Sequence, residues 1–159
     1  MSSDSQQSAA RFPSEIYSSR LARAAEYAGQ AGLDALLISP GPDLRYLVGS
    51  QASSFERLIC LVVPADGSTP TVLVPRLELA ALQPSAVTEL GLRVTDWVDG
   101  VSPYDIVADM LPSEAATAVD DAMPALHFVP LADKLGRTPI LATEVLRRLR
   151  RRSLARLRQ

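Results

Sequence analysis

Residues 31–64 read AGLDALLISPGPDLRYLVGSQASSFERLICLVVP, and the fold is decided inside this stretch. Asp34 to Ser39 is short and almost wholly apolar, which predicts a buried strand covered on both faces. Pro40-Gly41-Pro42 forces a turn. Asp43 is placed to cap a short helix running through Tyr46 and Leu47, and Gly49 stops it. Gln51 to Ser54 is a polar loop. Leu58 to Pro64 is β-branched and apolar, the composition of a central strand.

Working outward, residues 1–12 are small and polar and predict a disordered leader. Pro13-Ser14 opens a helix with Ser14 as its N-cap, and Ile16, Leu21, Ala24, Tyr27 and Ala28 recur at helical spacing before Gly29 and Gly32. Asp66-Gly67 is a turn, and Thr71 to Val74 returns from it as a hairpin partner. Leu77 to Leu82 predicts a short helix ended by Pro84. Leu92 to Val98 alternates apolar and polar residues, as an edge strand does. Ser102-Pro103 starts a helix with Pro at its favoured first position, setting Ile106, Val107 and Met110 on one side. Thr117 to Val119 is a brief strand, Pro124 to Leu135 a helix closed by Gly136, and Pro139 to Ala142 a last strand. Thr143 caps a final helix whose Val145, Leu146 and Leu149 face inward.

Such alternation predicts an α/β fold: a mixed central sheet of about six strands flanked by helices. Three segments follow: the leader 1–12, a domain over 13–142, and a helix with an arginine-rich tail over 143–159. No repeat of fixed period is present.

The chain has 159 residues, 47% hydrophobic and 21% charged, in keeping with one globular domain. No stretch approaches the roughly 20 apolar residues that span a bilayer. The first ten residues lack the basic and apolar parts of a secretory signal. Cys60 is the only cysteine, so no internal disulfide forms and a cytoplasmic location is expected. Net charge is −2, unevenly spread. From Arg147 onward there are seven arginines and no acid, a charge of +7, while the preceding chain sets nine basic residues against 18 acids, −9. That is not a uniformly basic, nucleic-acid-binding surface.

No catalytic centre is legible. His127 is the only histidine and sits in the Pro124–Leu135 helix, where a satisfied structural role outweighs a metal-ligand role even with Asp120 and Asp121 nearby. Cys60 lies within the apolar LICLVV run and reads as a buried small hydrophobe. Asp96 and Asp99 flank Trp97 near a strand end, where α/β proteins often place functional groups, but two acids ahead of Gly100 suit loop solubility better. Serine-hydrolase, Walker and dinucleotide motifs are absent.

The 31–64 block resembles the N-terminal domain of the creatinase, prolidase and aminopeptidase P family. The residues that carry the resemblance are Gly32, Asp34, Leu36, Leu37, Ile38, Tyr46, Leu47 and Gly49. Pro75-Arg76 with Glu78, the helix from Pro124 and the run ATEVLRRLR over 142–150 agree with it. The likeness extends over about residues 13–150 and looks closest to bacterial Xaa-Pro dipeptidases. Asp43 stands where that family often has Asn. The resemblance implies a creatinase-type, ribonuclease H-like layer, and a linker helix at 142–150 leading to a catalytic domain. In the family that catalytic domain holds two divalent metals such as Mn or Co. None of its ligands is expected in this chain, which ends RRSLARLRQ in the manner of a truncation, a frame disruption or an imposed domain boundary.

By the same resemblance, such a domain assists a homodimer by covering the neighbour's active site and limiting substrate length. The expected substrate-gating residues are Asp43, Arg45, Tyr46, Phe55 and Arg57, with no catalytic and no metal-ligating residue. The expected partners are a second copy of the chain or a peptidase catalytic domain, with no membrane and no nucleic acid. An alternative is a free-standing interaction module with a basic C-terminal tail; no aromatic residues interleave with those arginines, which argues against a stacking platform. A metal-independent hydrolase built on His127 is the third reading.

Overall fold

The computed structural model describes residues 12–53 and 56–158. Six strands, β1 (Ala35–Ile38), β2 (Cys60–Pro64), β3 (Thr71–Pro75), β4 (Arg93–Trp97), β5 (Thr117–Val119) and β6 (Ile140–Leu141), form one sheet in the order β4-β3-β2-β1-β5-β6. Its hairpin β2–β3 is antiparallel, as the Asp66-Gly67 turn predicts, and β1 also pairs antiparallel with β2. The β3–β4, β1–β5 and β5–β6 pairs are parallel. The mixed six-stranded α/β sheet expected from the sequence is therefore present.

Five helices cover it: α1 (Ser14–Gln30), α2 (Pro42–Val48), α3 (Pro103–Asp109), α4 (Ala125–Leu135) and α5 (Thr143–Leu157). Alternation within the strands divides the core. Leu36, Ile38, Leu61 and Val63 turn to the face covered by α1, α2 and α5. Ala35, Leu37, Cys60 and Val62 turn to the face covered by α3 and α4. Both sides of β1 are buried, which explains its unbroken apolar run.

Several local expectations change. Pro13, not Ser14, occupies the N-cap of α1, because the Ser14 hydroxyl bonds Glu89 instead. Ile16 points outward and Tyr17 takes the buried position, since the buried stripe runs Tyr17, Leu21, Ala24, Ala25, Tyr27 and Ala28. Gly41 rather than Asp43 is the N-cap of α2, and Asp43 lies in its first turn. Gly49 closes α2 with φ 72°, a left-handed conformation that suits glycine. The short helix expected over Leu77–Leu82 is present as a 3-10 helix, Arg76–Leu82. Thr143 gives its hydroxyl to Asp121. Its neighbours Val145, Leu146 and Leu149 are buried in the α1/α2 core as predicted, so the first half of α5 packs as part of the domain.

Candidate functional site

β1 and β5 are adjacent and parallel, and the helices that follow them, α2 and α4, pack on opposite faces of the sheet. Where neighbouring strands send their connections to opposite sides, a crevice opens at their carboxyl ends, the usual ligand position in open α/β sheets. Ser39 directly follows β1 and Asp120 directly follows β5. Both are buried. The Asp120 carboxylate accepts the Ser39 N–H at 2.7 Å and the Ser39 hydroxyl at 3.0 and 2.8 Å. Burial pushes the Asp120 carboxyl above its ordinary value, against the pull of these bonds. A carboxylate so enclosed and supplied with donors is a clamp between two strand ends, not a free base.

Asp43 and Asp121 sit beside this clamp. Asp43 pairs with Arg150 of α5, and Asp121 accepts from the Thr143 hydroxyl at 2.6 Å. Desolvation raises the Asp43 carboxyl, with Arg150 pulling it down and Asp121 pushing it further up. Among the described residues no three His, Cys, Asp or Glu side chains gather to hold a metal ion. The three acids here are each committed to a serine, an arginine or a threonine, so the residues present do not fit a two-metal centre.

The expected gating residues fall into two groups. Asp43 and Tyr46 share the face of α2 that meets α5: the Tyr46 hydroxyl bonds Ser153, and the Arg20 guanidinium lies 3.8 Å over its ring. Arg20 also donates to the Tyr46 carbonyl at 2.8 Å. Arg45, on the same helix, is exposed. Arg57 precedes β2 but bonds Asp99 beyond the end of β4, through Nε at 3.2 Å and a terminal nitrogen at 3.0 Å. β4 lies three strand spacings from β1, roughly 14 Å. Phe55 lies outside the described residues. The chain thus brings Asp43 and Tyr46 together through α5, with Arg150 and Ser153 as partners that sequence reasoning did not assign.

The remaining candidates each have contacts within the fold. Cys60 is fully buried, and burial, aided by the Asp120 charge, pushes its thiol up to about 12. His127 is buried, and its Nδ1 lies 2.9 Å from the Tyr104 hydroxyl. Asp96 is held below the ordinary carboxylate range by its bond to Arg76. In the arginine-rich tail, Arg147 pairs with Glu144 and Arg150 with Asp43, while Arg148 donates to Gln30 and stacks on Tyr27. No helix among the described residues is long and apolar enough to cross a membrane.

Comparison with known proteins supplies the context for these contacts. Residues 20–152 match the Creatinase/Prolidase N-terminal domain family. A curated relative, the probable dipeptidase PepE of Mycobacterium tuberculosis, is 60% identical over 141 residues, which are 88% of this chain and 37% of that protein. The crystal structure of dipeptidase PepE from Mycobacterium ulcerans superposes with a TM-score of 0.85 at 58% identity, covering 88% of this chain and 38% of the other. A solved proline dipeptidase chain from Streptococcus pneumoniae, at 25% identity and TM-score 0.69, is matched over 82% of this chain and 96% of its own length. That solved chain consists almost wholly of the corresponding unit. The present chain spans little more than a third of the length of its curated relatives, and it belongs to the creatinase/prolidase N-terminal domain family.

Proposed function

We propose that this chain acts as the non-catalytic N-terminal domain of a prolidase-type Xaa-Pro dipeptidase. It works in the cytoplasm as part of a homodimer, capping the neighbouring active site and limiting the length of peptide admitted. Hydrolysis belongs to a separate catalytic domain, whose two divalent cations, such as Mn or Co, activate water. The observation that carries this reading is the extent of the likeness: it spans the N-terminal domain family over residues 20–152 and only 37% of the dipeptidase relative.

The gating surface is the α2 side of the crevice, with Asp43, Arg45 and Tyr46, together with Arg57 ahead of β2 and with Phe55, which lies outside the described residues. Arg45 is the member suited to a peptide carboxylate, because its guanidinium is exposed and offers a planar, charged donor. Asp43 and Tyr46 act through α5, which they hold against α2.

A chimera tests the reading. Residues 12–152 of this chain replace the matching part of the Mycobacterium tuberculosis dipeptidase, and kcat/KM is compared for Xaa-Pro dipeptides and tripeptides. The chimera is expected to prefer dipeptides, and Arg45→Ala to shift the ratio toward tripeptides by about tenfold, the size of one lost charge-assisted contact. The isolated chain with Mn or Co is expected to hydrolyse neither. Metal-dependent turnover by the pure chain, or a chimera indifferent to Arg45, overturns the gating reading.

A further inference from the structure

Phe12 is the most exposed aromatic side chain among the described residues, at 55%, yet it is held in place. Its N–H donates to the Tyr17 hydroxyl at 3.2 Å, its ring meets the Tyr17 ring at 6.3 Å between centroids, and the Arg20 guanidinium lies 5.2 Å from it. Arg20 is itself fixed on Tyr46 by the stacking and carbonyl contacts described above. A rigid aromatic left facing solvent has its ordering cost already met, the property of an interface anchor.

One turn further along α1, Ile16 is also exposed. Phe12, Glu15, Ile16, Ser19, Arg20 and Arg23 line a mainly apolar groove of about 360 Å³, to which Ser153 contributes from α5. Arg23 makes no ion pair among the described residues. Two arginines against the single acid Glu15 leave the groove cationic, so it suits an apolar side chain followed by a carboxylate: apolar contact on Phe12 and Ile16, charge on Arg23.

Its position names the occupant. Ser153 of α5 lines this groove with the first turns of α1, while Glu144 and Val145 line another with Tyr27 and Gln30, so the two helices run antiparallel. The groove thus opens at the carboxyl end of α5. The matching family is an N-terminal domain and the match covers 37% of the dipeptidase, so in that relative most of the polypeptide follows this point. We infer that the groove is the seat of the catalytic part of a family dipeptidase, which docks an apolar side chain and an adjoining carboxylate on Phe12, Ile16 and Arg23. The inference rests on the domain reading above and adds the surface through which the two parts hold their mutual orientation.

The probe is the part of the Mycobacterium tuberculosis dipeptidase beyond its matched 141 residues, produced separately and titrated with the full 159-residue chain. Saturable binding is expected. Phe12→Asp and Ile16→Asp each weaken it at least tenfold. Arg23→Glu weakens it several-fold, less so at high salt. Leu126→Asp, exposed on α4 and so on the opposite face of the sheet, leaves it unchanged.

Wild-type affinity in the Phe12 and Ile16 variants overturns the assignment. Self-association of the chain that Phe12→Asp abolishes, without binding to the probe, also overturns it by giving the groove to a second copy. Where the separate probe does not fold, thermal unfolding of the chimera decides. Phe12→Asp is expected to split one transition into two, and a single unshifted transition counts against docking here. A chimera that keeps dipeptide selectivity but ignores Phe12 and Ile16 ends this inference and leaves the domain reading intact. Loss of selectivity with docking retained does the reverse.

Discussion

At β1 and β5 the carboxyl edge of the sheet holds Asp120 buried, accepting from the N–H and the hydroxyl of one serine. At β3 and β4 the same edge holds Asp96 and Asp99 in open ion pairs with Arg76 and Arg57. In sequence the two sites look alike, each an acid within two residues of a strand end. They differ in what the acid faces. Between two buried strands an unsatisfied carboxylate is costly, so donors are built around it. At an edge strand water is an adequate partner, and an arginine adds little.

The largest expected effect separates them directly. Asp120→Ala leaves the Ser39 N–H and hydroxyl without their buried acceptor and is expected to lower stability by about 2–3 kcal/mol in urea titrations. Asp120→Asn keeps an acceptor oxygen and removes the buried charge, so its effect near neutral pH is small or stabilising. The pH profile sharpens the difference. Burial raises Asp120, so its folded form binds the proton more tightly than the unfolded form. Its contribution is full below the ordinary carboxylate value of 3.8 and is lost as pH rises through the raised folded value. Asn removes that slope. Asp96 has the opposite sign: its carboxyl is lowered by Arg76, so its contribution is present at neutral pH and lost as pH falls through the lowered value. An unchanged pH slope in Asp120→Asn contradicts the burial argument.

An intermediate effect is expected where α5 meets α2. The Asp43 side chain is 14% exposed and that of Arg150 is 46% exposed. Discounted for the solvent around Arg150, Arg150→Ala is expected to cost about 1 kcal/mol. It also removes the cation that pulls the Asp43 carboxyl down, so that carboxyl rises further and stability falls more steeply with increasing pH. No added slope means that Asp43 is already screened by water.

Much of this architecture is legible in the sequence. The apolar runs at 35–38 and 60–64, the hairpin turn at Asp66-Gly67 and the inward residues of α5 follow from local chemistry, and each lies where that chemistry places it. The Ser39–Asp120 clamp is not legible, because the two residues are 81 apart and nothing local to either says that β1 and β5 are neighbours. Knowing that both follow parallel strands would have aligned them. Ile16 and Tyr17 exchange roles because helical periodicity fixes an apolar stripe only to within about one residue, and the nearby Arg20 rewards the aromatic ring there. Of the expected gating residues, Asp43 and Tyr46 can be placed on one helix from sequence, but their partners Arg150 and Ser153 lie 107 positions away.

The smallest expected effect tests the exposed site. The Arg57 and Asp99 side chains are 40% and 73% exposed, so their two bonds compete with water at both ends. A double-mutant cycle of Arg57→Ala and Asp99→Ala is expected to give a coupling of about 0.2–1 kcal/mol. Most of it should disappear near 1 M salt, where the screening length shrinks to about 3 Å, close to the ion-pair separation itself. A salt-insensitive coupling as large as the Asp120→Ala effect removes the contrast between the two places on the sheet edge. It would mean that Arg57 is held as rigidly as Ser39.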